Sequence, residues 1–291
     1  MGLQYIISDE DELSECSDWL AYAFPEDEVV GFMGLYSNFD ISGHHGGVIK
    51  GKTSPGIVVA GFYATGLKWQ QFNKEWENTI LKPNGLDFLH PSSLIAGKKG
   101  TPYEHWSEEK KTRILTEAIQ IIGDKVEFRI SVAVKFPDFE KFFIDNPKAE
   151  PIHLSRLAFS LALVMVYERS YADKMGYKDG IHRTFEDGET ANDAAIIMQS
   201  FAEIAENPDL GAVYRGNYKG IGFVPKLNNP PVQAADILAN LTYKEIFRAA
   251  HEPSSGSRPE FLSLLKSVNG HSRETGYDEM KAFWETYRDD L

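Results

Sequence analysis

Cysteine is all but missing from this 291-residue chain: Cys16 is the only one. No intramolecular disulfide can form, and a thiolate zinc cluster is excluded, so a reducing, cytoplasmic setting is the expectation. Long apolar runs are missing too. The most compact one, residues 57–63 (IVVAGFY), falls far short of the ~20 residues of a membrane span, so no membrane partner is expected. The opening MGLQYIISDEDELSE has no basic stretch leading into an apolar core and does not read as a secretion signal. Position 6 is Ile rather than the Ser or Thr of a myristoylation motif. Positive charge is in deficit, with 30 Lys and Arg against 43 Asp and Glu, a net charge of −13. That argues against non-specific coating of a nucleic-acid duplex, which needs an excess of cations.

The remaining composition, 42% hydrophobic and 25% charged, is that of a globular chain long enough to bury a sizeable core. Its charge is unevenly spread. Residues 41–74 hold no acid but include Lys50, Lys52, Lys68 and Lys74, and residues 88–103 hold no acid but include Lys98 and Lys99. Local compositional scatter would account for this. Alternatively, Lys50, Lys52, Lys98 and Lys99 are candidate contacts to a phosphodiester backbone.

Hydrophobic periodicity predicts a mixed α/β order. Residues 9–23 read as an acidic helix and residues 29–40 as a first strand region ended by the turn ISGHHGG. Residues 57–63 form a second strand, and residues 68–81 a helix with Trp69, Phe72, Trp76 and Ile80 on one face. Residues 82–103 are loop-like. Ser107 caps a helix over residues 107–122, and residues 126–136 alternate as a half-buried strand. A buried helix over 154–171, a short strand at 182–186 and a helix over 191–205 follow. A strand at 220–224 and a helix over 231–249 come next. A linker over 252–260 leads to two terminal helices, at 261–268 and 277–287. Strands first, then mixed elements, point to one mixed α/β domain with helical additions at both ends.

The most conspicuous motif is a mismatch. Residues 46–53 (GGVIKGKT) fit G-x-x-x-x-G-K-[ST], but a phosphate-binding loop needs a helix directly after it, and here Ser54, Pro55, Gly56 and a β-rich run follow. The segment is expected to be a Gly/Lys loop of a hairpin. No zinc spacing exists among the eight histidines, adjacent His44 and His45 diverge, and no G-x-S-x-G elbow is present.

The informative residues are acids at the margins of elements. Asp40 ends the first strand, Glu186 and Asp187 end a later one, and Asp236 sits inside the apolar helical run PVQAADILA. A carboxylate in that last setting is costly unless paired or bound to a cation. The simpler readings are a turn-forming Asp40, a capping pair at Glu186 and Asp187, and an Asp236 on the solvent edge of its helix.

At these residues the chain resembles the family called domain of unknown function 3800, which has a ribonuclease-H-like fold and occurs mainly in bacteria and phages. The matching segments are Phe39-Asp40-Ile41-Ser42-Gly43, Val58–Phe62, Trp69 with Phe72 and Trp76, Phe88-Leu89-His90, Phe185-Glu186-Asp187-Gly188 and Gln233–Ala239. They cover about residues 33–250, with residues 1–32 as an N-terminal helical extension and 251–291 as linker and C-terminal helices. The resemblance implies an α/β, ribonuclease-H-like mixed sheet flanked by helices. It also implies a metal-dependent nuclease, with Mg or Mn held by Asp40, Glu186 and Asp236. Asp187 substitutes if the strand register is off by one, His90 orients substrate or water, and Glu75 is a further acid on the early helix. Ile41 departs from the pattern, because the family usually has Glu there. Adjacent strand residues face opposite ways, so position 41 is expected to point away from Asp40. Ile41 and the charge of −13 instead favour a second reading, a non-catalytic binding or regulatory module.

Overall fold

The computed structural model describes residues 35–43, 48–49, 51–146, 154–176, 180–187, 191–207, 211 and 218–288. The predicted helix over 9–23, Cys16, His44, His45 and Lys50 lie outside them. Six strands form one sheet: β1 (Leu35–Ser42), β4 (Gly56–Thr65), β5 (Phe128–Lys135), β6 (Ile181–Glu186), β7 (Tyr218–Val224) and β8 (Gly270–Thr275), in the order β7-β6-β1-β4-β5-β8. β1, β4 and β5 are an antiparallel meander, and β6 and β7 run parallel to β1. β8 pairs parallel with β5 at the far edge. A second, two-stranded sheet joins β2 (Val48–Ile49) and β3 (Lys52–Thr53).

Helices cover both faces. On one lie α1 (Gly66–Trp76), α2 (Pro91–Ala96), α3 (Glu108–Lys125), α7 (Pro230–His251) and α8 (Pro259–Ser267). Their apolar residues meet Val58, Ala60, Phe62 and Ala64 of β4. On the other lie α4 (Phe136–Asp145), α5 (Arg156–Lys174), α6 (Ala191–Glu206) and α9 (Tyr277–Arg288), against Phe39, Val59, Ile130 and Phe185. Strand alternation divides each strand between these two cores. A mixed sheet with helices on both sides, meander on one flank and parallel strands on the other, is an α/β architecture consistent with the ribonuclease-H-like fold.

Local chemistry sets the element ends. The Ser107 hydroxyl accepts from the Lys110 N–H, with Glu108 and Glu109 in the first turn of α3, and Ser155 caps α5 in the same way. Pro230 and Pro231 open α7 at positions whose N–H groups need no helical partner. Gly61 of β4 lets the Phe39 ring lie on the strand, since a Cβ there would come within 2.4 Å of it.

The structure departs from periodicity in four places. β5 is buried along almost its whole length rather than alternating, because α5 and α7 sandwich it. The segment expected to be a loop over 82–103 contains α2, started by Pro91, and residues 136–145, of which the sequence assigns only 136 and that to a strand, form α4. Residues 270–275 (GHSRET) carry no apolar alternation, yet they form edge strand β8. Beyond β1, a two-residue β-ladder inside the 46–53 motif pairs Val48 with Thr53 and Ile49 with Lys52. Lys52 extends to Glu252 at 3.0 Å rather than toward a phosphate cradle. No helix among the described residues is long and apolar enough to cross a membrane.

Candidate active site

The α7-facing side of the sheet carries polar residues where β1 and β6 end. The pair Phe39 and Phe185 is in register and points into the opposite core, their rings stacked 5.1 Å apart. Alternation then turns Asp40 and Glu186, the next residue on each strand, toward α7. Ile41 packs with the core on the other face, opposite to Asp40. A Glu at this position would therefore point away from the site.

Asp236 meets them from α7. It is 4% exposed, Asp40 is 8% exposed, and the Asp40 carboxyl hydrogen-bonds with Glu186. Between the carboxylates stands Lys226, on the turn after β7. Its Nζ lies 2.8 Å from Glu186 Oε2 and 2.8 Å from Asp236 Oδ2. His90 Nδ1 is 3.1 Å from the same Asp236 oxygen, and Ser92 Oγ lies 3.3 Å from His90 Nε2. Asp40, Glu186, Asp236 and His90, separated by as many as 196 residues in sequence, thus share one cluster.

The others do not join it. The Asp187 N–H bonds to the Val224 carbonyl at 3.0 Å, and no interaction of its side chain with the cluster is seen. Glu75 pairs with Lys125 at 3.0 Å on the far side of α1. Lys98 and Lys99 are exposed.

Gln233 holds the parts in place. Its Oε1 accepts from the Trp76 indole N–H at 2.9 Å and the Leu89 N–H at 3.0 Å, while its Nε2 donates to the Lys226 carbonyl at 2.9 Å. One fully buried amide therefore ties α1, the His90 loop and the Lys226 turn to α7. Tyr103 adds a brace: its hydroxyl accepts from the His90 N–H at 3.1 Å and donates to the Phe88 carbonyl at 3.2 Å.

The electrostatics follow from burial and this geometry. Burial, then the charge of Asp236, pushes the Asp40 carboxyl well above the ordinary carboxylate range, and the hydrogen bond with Glu186 works in the same direction. Burial also works to raise Asp236, but its His90 hydrogen bond and the Lys226 charge outweigh that and hold it below its ordinary value. Burial works to discharge Lys226; Asp236, Asp40 and Glu186 more than reverse this and lock it protonated. The result is one ammonium held among three acidic side chains.

The donor set is rich in hard oxygen and suits Mg²⁺ or Mn²⁺ by type. Among the described residues no group of three or more His, Cys, Asp or Glu is spaced to hold a metal ion. The cationic position between Glu186 and Asp236 belongs to Lys226. A divalent ion at that position would have to displace the Lys226 side chain. Compared with protein-family models and with curated proteins, the chain matches none.

Lys226 is the residue that sequence reasoning missed. Its signal was present as a lone cation in Val-Pro-Lys-Leu, midway between a short strand and the helix that carries Asp236.

Proposed function

We propose that the chain is a phosphodiester hydrolase of the ribonuclease-H-like type, dependent on Mg²⁺ or Mn²⁺ and acting on nucleic acid. The observation that carries this reading is the convergence of Asp40, Glu186 and Asp236 from two adjacent strand ends and a buried helix. Asp40, Glu186 and Asp236 would hold the metal, which when bound activates a water and stabilises the leaving oxygen. His90 fixes Asp236 through its Nδ1 and reaches the site at 34% side-chain exposure, open enough to meet a substrate. Lys226 keeps the carboxylates together in the absence of the ion and, once displaced, stands as a cation beside a phosphate. Lys50, Lys52, Lys98 and Lys99 are the proposed backbone contacts, in a cytoplasmic protein of the domain of unknown function 3800 family.

A second reading, a non-catalytic ribonuclease-H-like binding or regulatory module, is favoured by one observation: Lys226 already neutralises the acids. Thermal melts in EDTA and in Mn²⁺, run beside cleavage assays on labelled DNA and RNA, separate the two. The hydrolase is stabilised by Mn²⁺ and cleaves; Asp236→Asn loses both properties. A wild type indifferent to Mn²⁺ and inert on every nucleic acid leaves the binding module standing.

A further inference from the structure

The carboxylate cluster continues into a shelf on the same face of the sheet. Counting back by twos from Asp40 and Glu186, alternation brings Asn38 and Thr184, then Tyr36 and His182, to this face. Each pair is in register across β1 and β6. Above Tyr36, Asn38 and Thr184, on the side of Gly66, Trp69 and Pro231, lies an open cleft of about 200 Å³. That is below the roughly 300–1,000 Å³ of pockets that enclose whole small molecules.

The shelf contains an aromatic stack with one closed end and one open end. The rings of Tyr36 and His182 stack at 5.1 Å with 15° between their planes. Behind Tyr36 stands Gly66 at the start of α1, where a Cβ would lie 3.5 Å from the ring. The third strand of the series, β7, places Gly220 opposite His182 and Gly222 opposite Thr184. A Cβ at Gly220 would meet only His182 Nδ1, at 3.5 Å, and one at Gly222 would meet no described atom within 4 Å. The row Tyr36, His182, Gly220 is thus two stacked rings followed by bare backbone. Burial and the charge of exposed Lys219 lower the His182 pKa, so its ring is neutral at neutral pH.

We propose that this shelf is a nucleobase subsite, in which a base of a single-stranded nucleic acid stacks on the free face of His182 over Gly220 and Gly222. The hydroxyl of Thr184, opposite Gly222, then faces the base edge as a hydrogen-bonding group. The strand continues along β6 toward Glu186 and Lys226, where its phosphodiester meets the carboxylates. A duplex base pair cannot enter such a stack without unpairing, so the subsite selects unpaired substrate. The choice of ligand rests on the phosphodiester reading of the neighbouring cluster; the open stack and the glycine strand are independent of it.

The test measures binding by fluorescence anisotropy in Ca²⁺, using labelled single-stranded DNA, single-stranded RNA, the DNA duplex, and a single strand whose bases are removed. Wild-type protein is compared with Gly222→Val and His182→Ala. Valine at 222 fits a strand without a clash, and it fills the shelf. Stacking of about 1–3 kcal/mol per base corresponds to a loss of about five-fold to more than a hundred-fold in either variant. The abasic strand and the duplex should bind wild type as weakly as the natural strand binds the variants. Comparison of the DNA and RNA arms identifies the sugar that the site accepts. Equal binding of natural and abasic strands, or variants that bind like wild type, overturns the subsite. The Mn²⁺-dependent melting shift is read on the same samples. A shift that persists while base dependence is absent sinks the subsite alone. Base dependence without any shift sinks the hydrolase reading and leaves the subsite in place.

Discussion

Replacing Lys226 with methionine removes the one charge that joins Glu186 to Asp236 while keeping most of the side-chain volume. The ammonium contacts both carboxylates at 2.8 Å and is 12% exposed, so water cannot take over its role without opening the site. Breaking a buried pair by deleting one partner costs about 3–5 kcal/mol, because the other charges stay buried and unpaired. At about 2–4 °C per kcal/mol for a domain of this size, melting in EDTA should fall by roughly 10 °C. Part of the loss is relieved by protonation. Lys226 restrains the pKa of Asp40, so without it Asp40 holds its proton even more tightly. On the hydrolase reading, Mn²⁺ should restore stability more in this variant than in wild type, since the ion no longer competes with an internal cation. A ligand at a thousand times its Kd returns about 4 kcal/mol. Chemical denaturation of wild type, Lys226→Met, Asp236→Asn and the double variant closes a thermodynamic cycle. The two single losses should exceed the double loss by more than about 1 kcal/mol when summed. If Lys226→Met unfolds within about 0.5 kcal/mol of wild type in EDTA, the ammonium does not hold the cluster and the electrostatic argument fails.

Asp236→Asn should destabilise the metal-free protein by about 2–3 kcal/mol, measured by urea titration, because Lys226 and His90 lose their charged partner. A buried acid without such partners would give the opposite sign. Asp40→Asn should flatten part of the stability profile against pH. Because its folded-state pKa is raised, the native protein binds a proton that the unfolded chain has released. Wild type therefore loses stability as pH climbs from about 4 through that raised value, whereas the variant does not. Lys244→Met should stabilise the protein at pH 7 by about 1–3 kcal/mol. Burial and Arg258 pull the Lys244 pKa down to about 8, so its charge is a burden below pH 8 that fades as pH rises to 10.5. Denaturation at pH 7 and pH 10 should show the gain shrinking.

Most of the site was legible in the sequence because acids are rare in apolar runs. Asp236 within PVQAADILA and Asp40 at the end of LYSNFD stand out against their neighbours, and the parallel register of β1 and β6 then makes Asp40 and Glu186 neighbours. Lys226 did not stand out, since a lysine in a turn is ordinary and only the tertiary fold aims it inward. Its significance depends on Gln233 holding the turn against α7 through the Lys226 carbonyl. For the fold, periodicity located the central strands and long helices, whose apolar faces are wide. It failed for β8, because an edge strand bonded on one side needs backbone pairing more than a hydrophobic stripe. α4 was not legible because Phe136 continues the apolar run of β5, Pro137 follows it, and Lys135 at the N-cap makes no side-chain cap.

On the reverse face of the sheet, Glu168 of α5 is completely buried, with Arg183 Nη2 2.5 Å away and the Tyr63 hydroxyl donating to it at 2.7 Å. Arg183 and Glu186 therefore belong to the same short strand and serve networks on opposite sides of it. Sliding β6 by a single residue would push the guanidinium toward Asp236 and drive the Glu186 carboxylate into a phenylalanine core. Neither error is tolerable, so the two networks act as a ratchet that admits one alignment. A residue on the opposite face from the carboxylate cluster thereby fixes where Glu186 arrives, and drift at Arg183 would erode the cluster while leaving its own side chains untouched.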